Sequence, residues 1–186
     1  MKETLNIVLS GQAGQGLMTL ESLLADVIRK EYYLFTSPEF MSRVRGGNNS
    51  VELVLSSEPI ESWRKIIDIL FVLGPESFVR MKPRLGKDTL VISESKFVSS
   101  DEQKDISFIE LPLAELSKEA GGQIYGNTII FGYICRLLGV STDSARNSIS
   151  RKFAKLKDDV IQKNLVAFDM GYDSLPKKLP SRISAK

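Results

Sequence analysis

The stretch that most restricts the fold is the passage from an apolar run, Leu5-Asn6-Ile7-Val8-Leu9, through Ser10-Gly11-Gln12-Ala13-Gly14-Gln15-Gly16, into an amphipathic segment. Three glycines and an alanine within six positions let a chain leave a strand edge, turn sharply and enter a helix with few side chains in the way. A loop of this kind presents bare backbone N–H groups to an anion. Beyond it, Leu20, Leu23, Leu24, Val27 and Ile28 recur at three- and four-residue steps, while Glu21, Ser22, Asp26, Arg29 and Lys30 take the other face. The passage predicts a strand, a glycine loop and a helix whose apolar face packs on a sheet.

A dinucleotide site is the first function such a loop suggests, yet the pattern is G-x-A-G-x-G and not G-x-G-x-x-G. That site also wants an acid at the end of the second strand, to hold the ribose. The second strand candidate, Tyr32-Tyr33-Leu34-Phe35, runs into Thr36-Ser37-Pro38-Glu39, so the acid on offer is Glu39, beyond a proline. The same glycines also serve a tight strand-to-helix turn with no ligand, and the residues alone leave both readings open.

Two absences narrow the chemistry. The chain contains no histidine, which removes a Ser-His-Asp triad, a Cys-His pair, a histidine base and a histidine-rich metal site. Its single cysteine, Cys135, cannot hold zinc or an iron–sulfur cluster alone. Cys135 lies in the apolar run Ile129-Ile130-Phe131-Gly132-Tyr133-Ile134-Cys135, where an inert buried thiol is expected. A chain without disulfides suits a reducing, cytoplasmic setting.

With 186 residues, 42% of them hydrophobic, and a net charge of +2, the chain can bury the core of one ordinary domain. No apolar run approaches the length of a membrane span and no secretory pattern opens the chain. The charge is uneven: Lys177, Lys178, Arg182 and Lys186 give the last 13 residues +4, so residues 1–173 carry −2. A single domain over residues 1–173 is expected, followed by a basic tail, 174–186, with Pro176 and Pro180.

Along the chain, Phe40-Met41-Ser42-Arg43-Val44-Arg45-Gly46-Gly47-Asn48-Asn49 forms a second unusual loop. Gly46-Gly47 allows close backbone approach, and Arg43 and Arg45 offer planar forks for carboxylate or phosphate; a solvated turn is the plain alternative. Ser50 to Ser56 alternates as a half-buried strand, and Ile66 to Leu73 is apolar enough for a central one. Glu76 to Met81 predicts a short helix, Thr89 to Ile92 an inner strand, Glu94 to Asp105 an exposed loop or hairpin, and Ile106 to Leu111 a last strand before a helix through Glu119.

From Gly126 the chain predicts helices. Asn127 caps the first, which Gly139 ends; Ser141 or Thr142 caps the second, running past Phe153; Asp158-Asp159 begins a third, through Phe168, which Gly171 closes. Phe131, Leu137, Leu138, Phe153, Leu156 and Phe168 are expected on inner faces. Asn127, at a helix start beside a glycine, is also a ligand candidate. The order βαβ-ββα-ββα gives a three-layer αβα sandwich with a mixed, mostly parallel sheet, a Rossmann-like start and a helical C-terminal part.

Three stretches together carry a family resemblance: Gly11-Gln12-Ala13-Gly14-Gln15-Gly16 after a first strand, Ser42 to Asn49 before a third, and Asn127-Thr128-Ile129-Ile130-Phe131-Gly132 opening the helical end. The sequence resembles the gamma subunit, or domain III, of 2-oxoacid:ferredoxin oxidoreductases, which act on pyruvate, 2-oxoglutarate and branched-chain 2-oxoacids. The match covers residues 5–172. Ala13 stands where many members carry glycine; with Ser42 to Gly47 it looks most like the version fused ahead of an alpha domain.

The resemblance implies oxidative decarboxylation of a 2-oxoacid to an acyl-coenzyme A. Thiamine diphosphate, magnesium and iron–sulfur clusters would sit in alpha, beta and ferredoxin-like delta chains, with ferredoxin as acceptor and coenzyme A as substrate. This chain would be an accessory, non-catalytic subunit holding no cofactor alone. Gly11, Gln12, Ala13, Gly14, Gln15, Gly16, Arg43, Arg45, Gly46, Gly47, Asn48 and Asn127 would lie at subunit contacts or near coenzyme A. A free-standing nucleotide-binding oxidoreductase and a regulatory binding module are the rival readings. Four basic residues on an acidic body give no case for nucleic acid.

Overall fold

In the computed structural model, which describes residues 4–41 and 47–175, the chain divides into two compact units, one of residues 4–17 with 33–112 and the other of 18–32 with 113–175.

The first unit carries a six-stranded sheet, ordered β2-β3-β1-β4-β5-β6. The strands are β1 (Thr4–Gln12), β2 (Tyr33–Glu39), β3 (Asn48–Ser56), β4 (Ile67–Val72), β5 (Leu85–Ser93) and β6 (Ser107–Glu110). β1 pairs in parallel with β4, β4 with β5 and β5 with β6, whereas β3 runs antiparallel to both β1 and β2. Five strands therefore point one way and β3 alone points back, which is the mixed, mostly parallel sheet expected. β4 is buried at every position, as its continuous apolar run requires of an inner strand. β2 extends further than its sequence promised, through Pro38, because it is an edge strand and needs no outward N–H there.

Helices α2 (Ser77–Met81) and α3 (Ser100–Lys104) belong to this unit, and Phe78, Met81 and Val98 pack with Val8, Leu70, Val72 and Val91 in one apolar cluster. The segment expected as a loop or hairpin is thus partly helical, with a 3-10 turn at Ser95–Phe97 before α3. Ser99 and Glu102 form a reciprocal capping box, each side chain bonding the other residue's backbone. Topology excludes the hairpin, because β5 and β6 are parallel and only a crossover can join parallel strands.

The second unit is helical: α1 (Leu17–Ile28, from Met18 onward), α4 (Leu113–Glu119), α5 (Gly126–Leu138), α6 (Thr142–Lys152) and α7 (Asp158–Ser174). Leu20, Leu23, Leu24, Val27 and Ile28 of α1 are all buried, as their spacing requires. α1 is tied to α6 by Lys30–Ser144 at 2.8 Å, Lys152–Ser22 at 2.9 Å and Arg151–Asp26 at 2.5 Å.

Three helix ends depart from expectation. α5 begins at Gly126, with Tyr125 at its N-cap, so Asn127 lies one residue inside and is not the cap. α6 stops at Lys152, leaving Phe153 as its C-cap. α7 continues to Ser174, with Gly171 inside it and not beyond its end. Gly171 belongs there because it faces α5 at backbone distance. A Cβ on Gly171 would fall 1.9 Å from the Ile129 carbonyl oxygen, and one on Gly132 would fall 2.1 Å from the Phe168 carbonyl oxygen. Phe131 and Phe168 fill the space beside this crossing, their ring centroids 5.7 Å apart. Leu156, assigned to an inner face, is instead 50% exposed. Gly139 ends α5 in the left-handed conformation expected of it, φ 72°.

Candidate functional site

Because β3 alone runs backward, the carboxyl ends of β1, β2 and β4 and the amino end of β3 meet at one edge of the sheet. In open α/β sheets this is the edge where ligands and partners gather. It collects the glycine loop after β1, Phe40-Met41 after β2, Gly47-Asn48 before β3, and Leu73-Gly74 leading to α2.

The loop is held by its own Gln15 and by the carbonyls of Gly47 and Leu73. Gly14 and Gly16 take φ of 92° and 73°, a region that excludes most side chains. The Gln15 amide folds back over Gly11: its Oε1 accepts from the Gln12 N–H at 2.8 Å and its Nε2 donates to the Leu73 carbonyl at 3.0 Å. A Cβ on Gly11 would stand 2.1 Å from that Oε1, so Gly11 is the space Gln15 needs. The Ala13 N–H donates to the Gly47 carbonyl at 3.0 Å and the Gln15 N–H to the Gln12 carbonyl at 3.3 Å. The N–H groups of Gln12, Ala13 and Gln15 are therefore engaged within the protein.

Asn48 is the hub beneath the loop. It is buried, its Oδ1 accepts from Ser10 Oγ at 3.1 Å and its Nδ2 donates to Ser77 Oγ at 3.1 Å, which ties β1, β3 and α2 together. Arg80 donates to the Asn48 carbonyl and meets Glu39 Oε2 at 2.6 Å. Glu39, the acid a ribose would need, is thus paired with an arginine of the same unit. The acid of the dinucleotide reading and three of the loop donors, the N–H groups of Gln12, Ala13 and Gln15, answer to internal partners.

Of the residues singled out in the sequence, Gly11 to Gly16, Gly47 and Asn48 come together at this edge. Arg43, Arg45 and Gly46 lie outside the described residues. Asn127 belongs to the helical unit, in the first turn of α5. Ser10, Ser77, Arg80 and Leu73 were not foreseen, since only the sheet order brings them to the loop.

A second polar cluster, also unforeseen, sits at the opposite edge. Asn6, Glu52 and Asp68 are buried. Asn6 Nδ2 donates to Glu52 Oε1 at 2.8 Å, the Asn6 N–H donates to Asp68 Oδ2 at 2.8 Å, and Arg84 Nη2 reaches both Glu52 oxygens at 2.9 Å. Its signal was present: an acid inside each of two apolar strand runs, Glu52 and Asp68, asks for a partner.

The donor set bounds what cofactors this chain holds. Among the described residues no three His, Cys, Asp or Glu side chains are grouped to bind a metal ion. An iron–sulfur cluster asks for several thiolates, and the one thiol, Cys135, is buried, which pushes its pKa well up and away from the thiolate. These residues do not fit a cluster. No helix of the described residues is long and apolar enough to cross a membrane.

Fold and site define an α/β domain with a self-supported glycine loop at the carboxyl edge of a mostly parallel sheet. Residues 6–174 match the family pyruvate ferredoxin/flavodoxin oxidoreductase, and the chain belongs to that family. It is similar to the 2-oxoglutarate synthase subunit KorC of Methanocaldococcus jannaschii, 29% identical over 175 residues, which span 90% of this chain and 91% of the relative. In fold it is similar to a keto/oxoacid ferredoxin oxidoreductase gamma subunit from Geobacter sulfurreducens, with a TM-score of 0.69 and 20% identity over 91% of this chain and 96% of the other. It is also similar to 2-oxoglutarate:ferredoxin oxidoreductase from Magnetococcus marinus, solved with 2-oxoglutarate, coenzyme A and succinyl-CoA bound, with a TM-score of 0.87 and 22% identity over all of this chain. The chain spans 34% of the length of that last protein's chain. The gamma-subunit resemblance drawn from the three sequence stretches therefore holds.

Proposed function

We propose that the chain is the accessory gamma subunit of a thiamine-diphosphate-dependent 2-oxoacid:ferredoxin oxidoreductase that converts a 2-oxoacid and coenzyme A to an acyl-coenzyme A. Thiamine diphosphate with magnesium and the iron–sulfur clusters sit in alpha, beta and ferredoxin-like delta partners, and ferredoxin takes the electrons. The assembly works in the cytoplasm. The observation that carries the reading is the family match over residues 6–174, and the internal pairing of Glu39 and of the N–H groups of Gln12, Ala13 and Gln15 agrees with it. The paired Glu39 counts against a free-standing dinucleotide site, and a chain without histidine brings little acid–base chemistry of its own.

In this reading the glycine loop, with Gly47, Asn48, Arg43, Arg45 and Gly46, meets partner chains or coenzyme A, and Asn127 does so from the helical unit. The domain ends near residue 173 and the basic tail, 174–186, serves as a linker or docking arm. The relatives make 2-oxoglutarate the first substrate to test.

The test is co-expression with the alpha, beta and delta chains encoded beside it, followed by ferredoxin reduction with 2-oxoglutarate and with pyruvate, each with coenzyme A. Reduction that requires this chain supports the proposal, and Arg45→Ala should lower it. A nicotinamide or flavin retained by the isolated chain, or full activity without it, overturns the proposal.

A further inference from the structure

We propose that Arg80 of α2 is a positioning residue for the glycine loop: by holding the main chain of Asn48 it fixes the Gly47 carbonyl to which the Ala13 N–H is bonded. The proposal rests on the subunit reading above and names the residue that keeps that reading's contact loop in shape.

α2 is an anchored platform, because Phe78 and Met81 are buried in the apolar cluster of the first unit. Ser77 and Arg80, three residues apart on this helix and so on neighbouring positions of its surface, both reach Asn48 at the start of β3. Ser77 Oγ accepts from Asn48 Nδ2 at 3.1 Å, and Arg80 Nη1 donates to the Asn48 carbonyl. From β1, Ser10 Oγ donates to Asn48 Oδ1 at 3.1 Å. Asn48 is thus held through its side chain and its main chain alike. β1 and β3 stay in register as far as Gln12 and Asn48, and the Ala13–Gly47 bond of 3.0 Å is the next contact outward. Whatever fixes Asn48 fixes the last rung before Gly14 and Gly16 turn the chain.

β2 does not supply this hold, since its ladder with β3 ends at Glu39 and Ser50, two residues short of Asn48. Arg80 spans the gap. Its Nη2 meets Glu39 Oε2 at 2.6 Å while its Nη1 takes the Asn48 carbonyl, so one guanidinium joins the last residue of β2 to the first of β3. A planar fork serves two acceptors at fixed angles, which a lysine ammonium does not. The two bonds are unequal. The Glu39 side chain is 64% exposed, and an ion pair to so exposed a carboxylate contributes little. The Arg80 side chain is only 22% exposed, and its charge-assisted bond to a backbone carbonyl is the stronger tie.

The experiment uses the full chain, alone for amide hydrogen exchange and co-expressed with the chains encoded beside it for ferredoxin reduction. Arg80→Met removes both bonds, and Glu39→Gln removes the ion pair alone. In Arg80→Met the Ala13 amide should exchange about fivefold faster or more, with the amides of Ile69 to Phe71 in β4 unchanged; Glu39→Gln should leave both sets as in the wild type. Ferredoxin reduction with coenzyme A and the 2-oxoacid that the wild type uses should fall about fivefold or more in Arg80→Met, as misplacement of a contact loop predicts. Equal acceleration in β4, or a chain that does not fold, makes Arg80 a general stabiliser and overturns the proposal. So does unchanged exchange at Ala13, a Glu39→Gln variant that matches Arg80→Met, or unchanged reduction in an assembly that requires this chain; in each of these the subunit reading stands. A wild-type assembly that reduces ferredoxin equally well without the chain overturns the subunit reading, and with it the role given to Arg80.

Discussion

Gly171 of α7 lies against the backbone of Ile129 in α5 so closely that a methyl group on it would stand 1.9 Å from the Ile129 carbonyl oxygen. In an open helix, replacing glycine by alanine stabilises by about 0.5–1 kcal/mol. Here the sign reverses, because the new carbon meets backbone and neither helix can move alone. Gly171→Ala should destabilise the protein by about 1–3 kcal/mol, a fall in melting temperature of several degrees, and Gly132→Ala should do the same. Thermal unfolding followed by circular dichroism checks this; a rise in melting temperature would show that the helices do not cross at this point.

At the loop, Gly11→Ala and Gln15→Ala should act on one interaction. The first pushes the Gln15 amide off the Gln12 N–H and the Leu73 carbonyl, and the second removes the amide. Each should cost about 1–2 kcal/mol, and the double variant distinctly less than the two together. A double-mutant cycle on urea midpoints decides it, with strict additivity as the contrary result. Gly14→Val and Gly16→Val should be worse than either, since φ near 90° and 73° excludes a β-branched side chain.

Glu52 and Arg84 make a testable pair at the other edge. Arg84→Met leaves a buried carboxylate without its cation, which costs about 3 kcal/mol or more when the site is dry. Joining it with Glu52→Gln, which removes the charge, should recover part of that loss. Equal stability of Arg84→Met and the double variant would mean that the Asn6 amide already satisfies Glu52.

A pH dependence follows from Asp26. Its carboxyl is held below its ordinary value of 3.8, first by the hydrogen bond from Ser148 and further by Arg151 and Lys30, against burial that pulls the other way. A lowered folded pKa means that the contribution to stability is present above pH 3.8 and disappears as the pH falls through the lower folded value. The carboxylate is 42% exposed, so the effect is at most about 1 kcal/mol. Asp26→Asn should melt below wild type at pH 7, and the two curves should converge as the pH falls below the ordinary carboxylate range. A constant gap across that range would assign the difference to packing.

Cys135 should resist a thiol reagent such as 5,5′-dithiobis(2-nitrobenzoate) in the native protein and react at once in guanidinium, because burial keeps the thiol protonated and covered. Rapid native labelling would mean that α5 opens readily.

Local pattern made the first βα passage, the inner strand β4 and the capped end of α5 legible from the residues alone. Their signals are periodicity and a glycine at a turn, which act within a few positions of each other. The capping box of α3 was legible in the same way, Ser99 three residues before Glu102, but an expectation of loop in a charged stretch hid it. The family, too, could be recognised from three short motifs in order. Tertiary structure decided what no local pattern states. Gly171 reads as a helix stop until α5 is known to pass at backbone distance. Pro38 reads as a strand end until β2 proves to be an edge. The glycine loop reads as an anion cradle until the Gln15 amide and the Gly47 carbonyl are seen to take the N–H groups of Gln12 and Ala13, with the Gln15 amide filling the space over Gly11. Each of these depends on a neighbour distant in the chain, and such neighbours are chosen by strand order and helix crossing, which the spacing of residues along one segment does not encode.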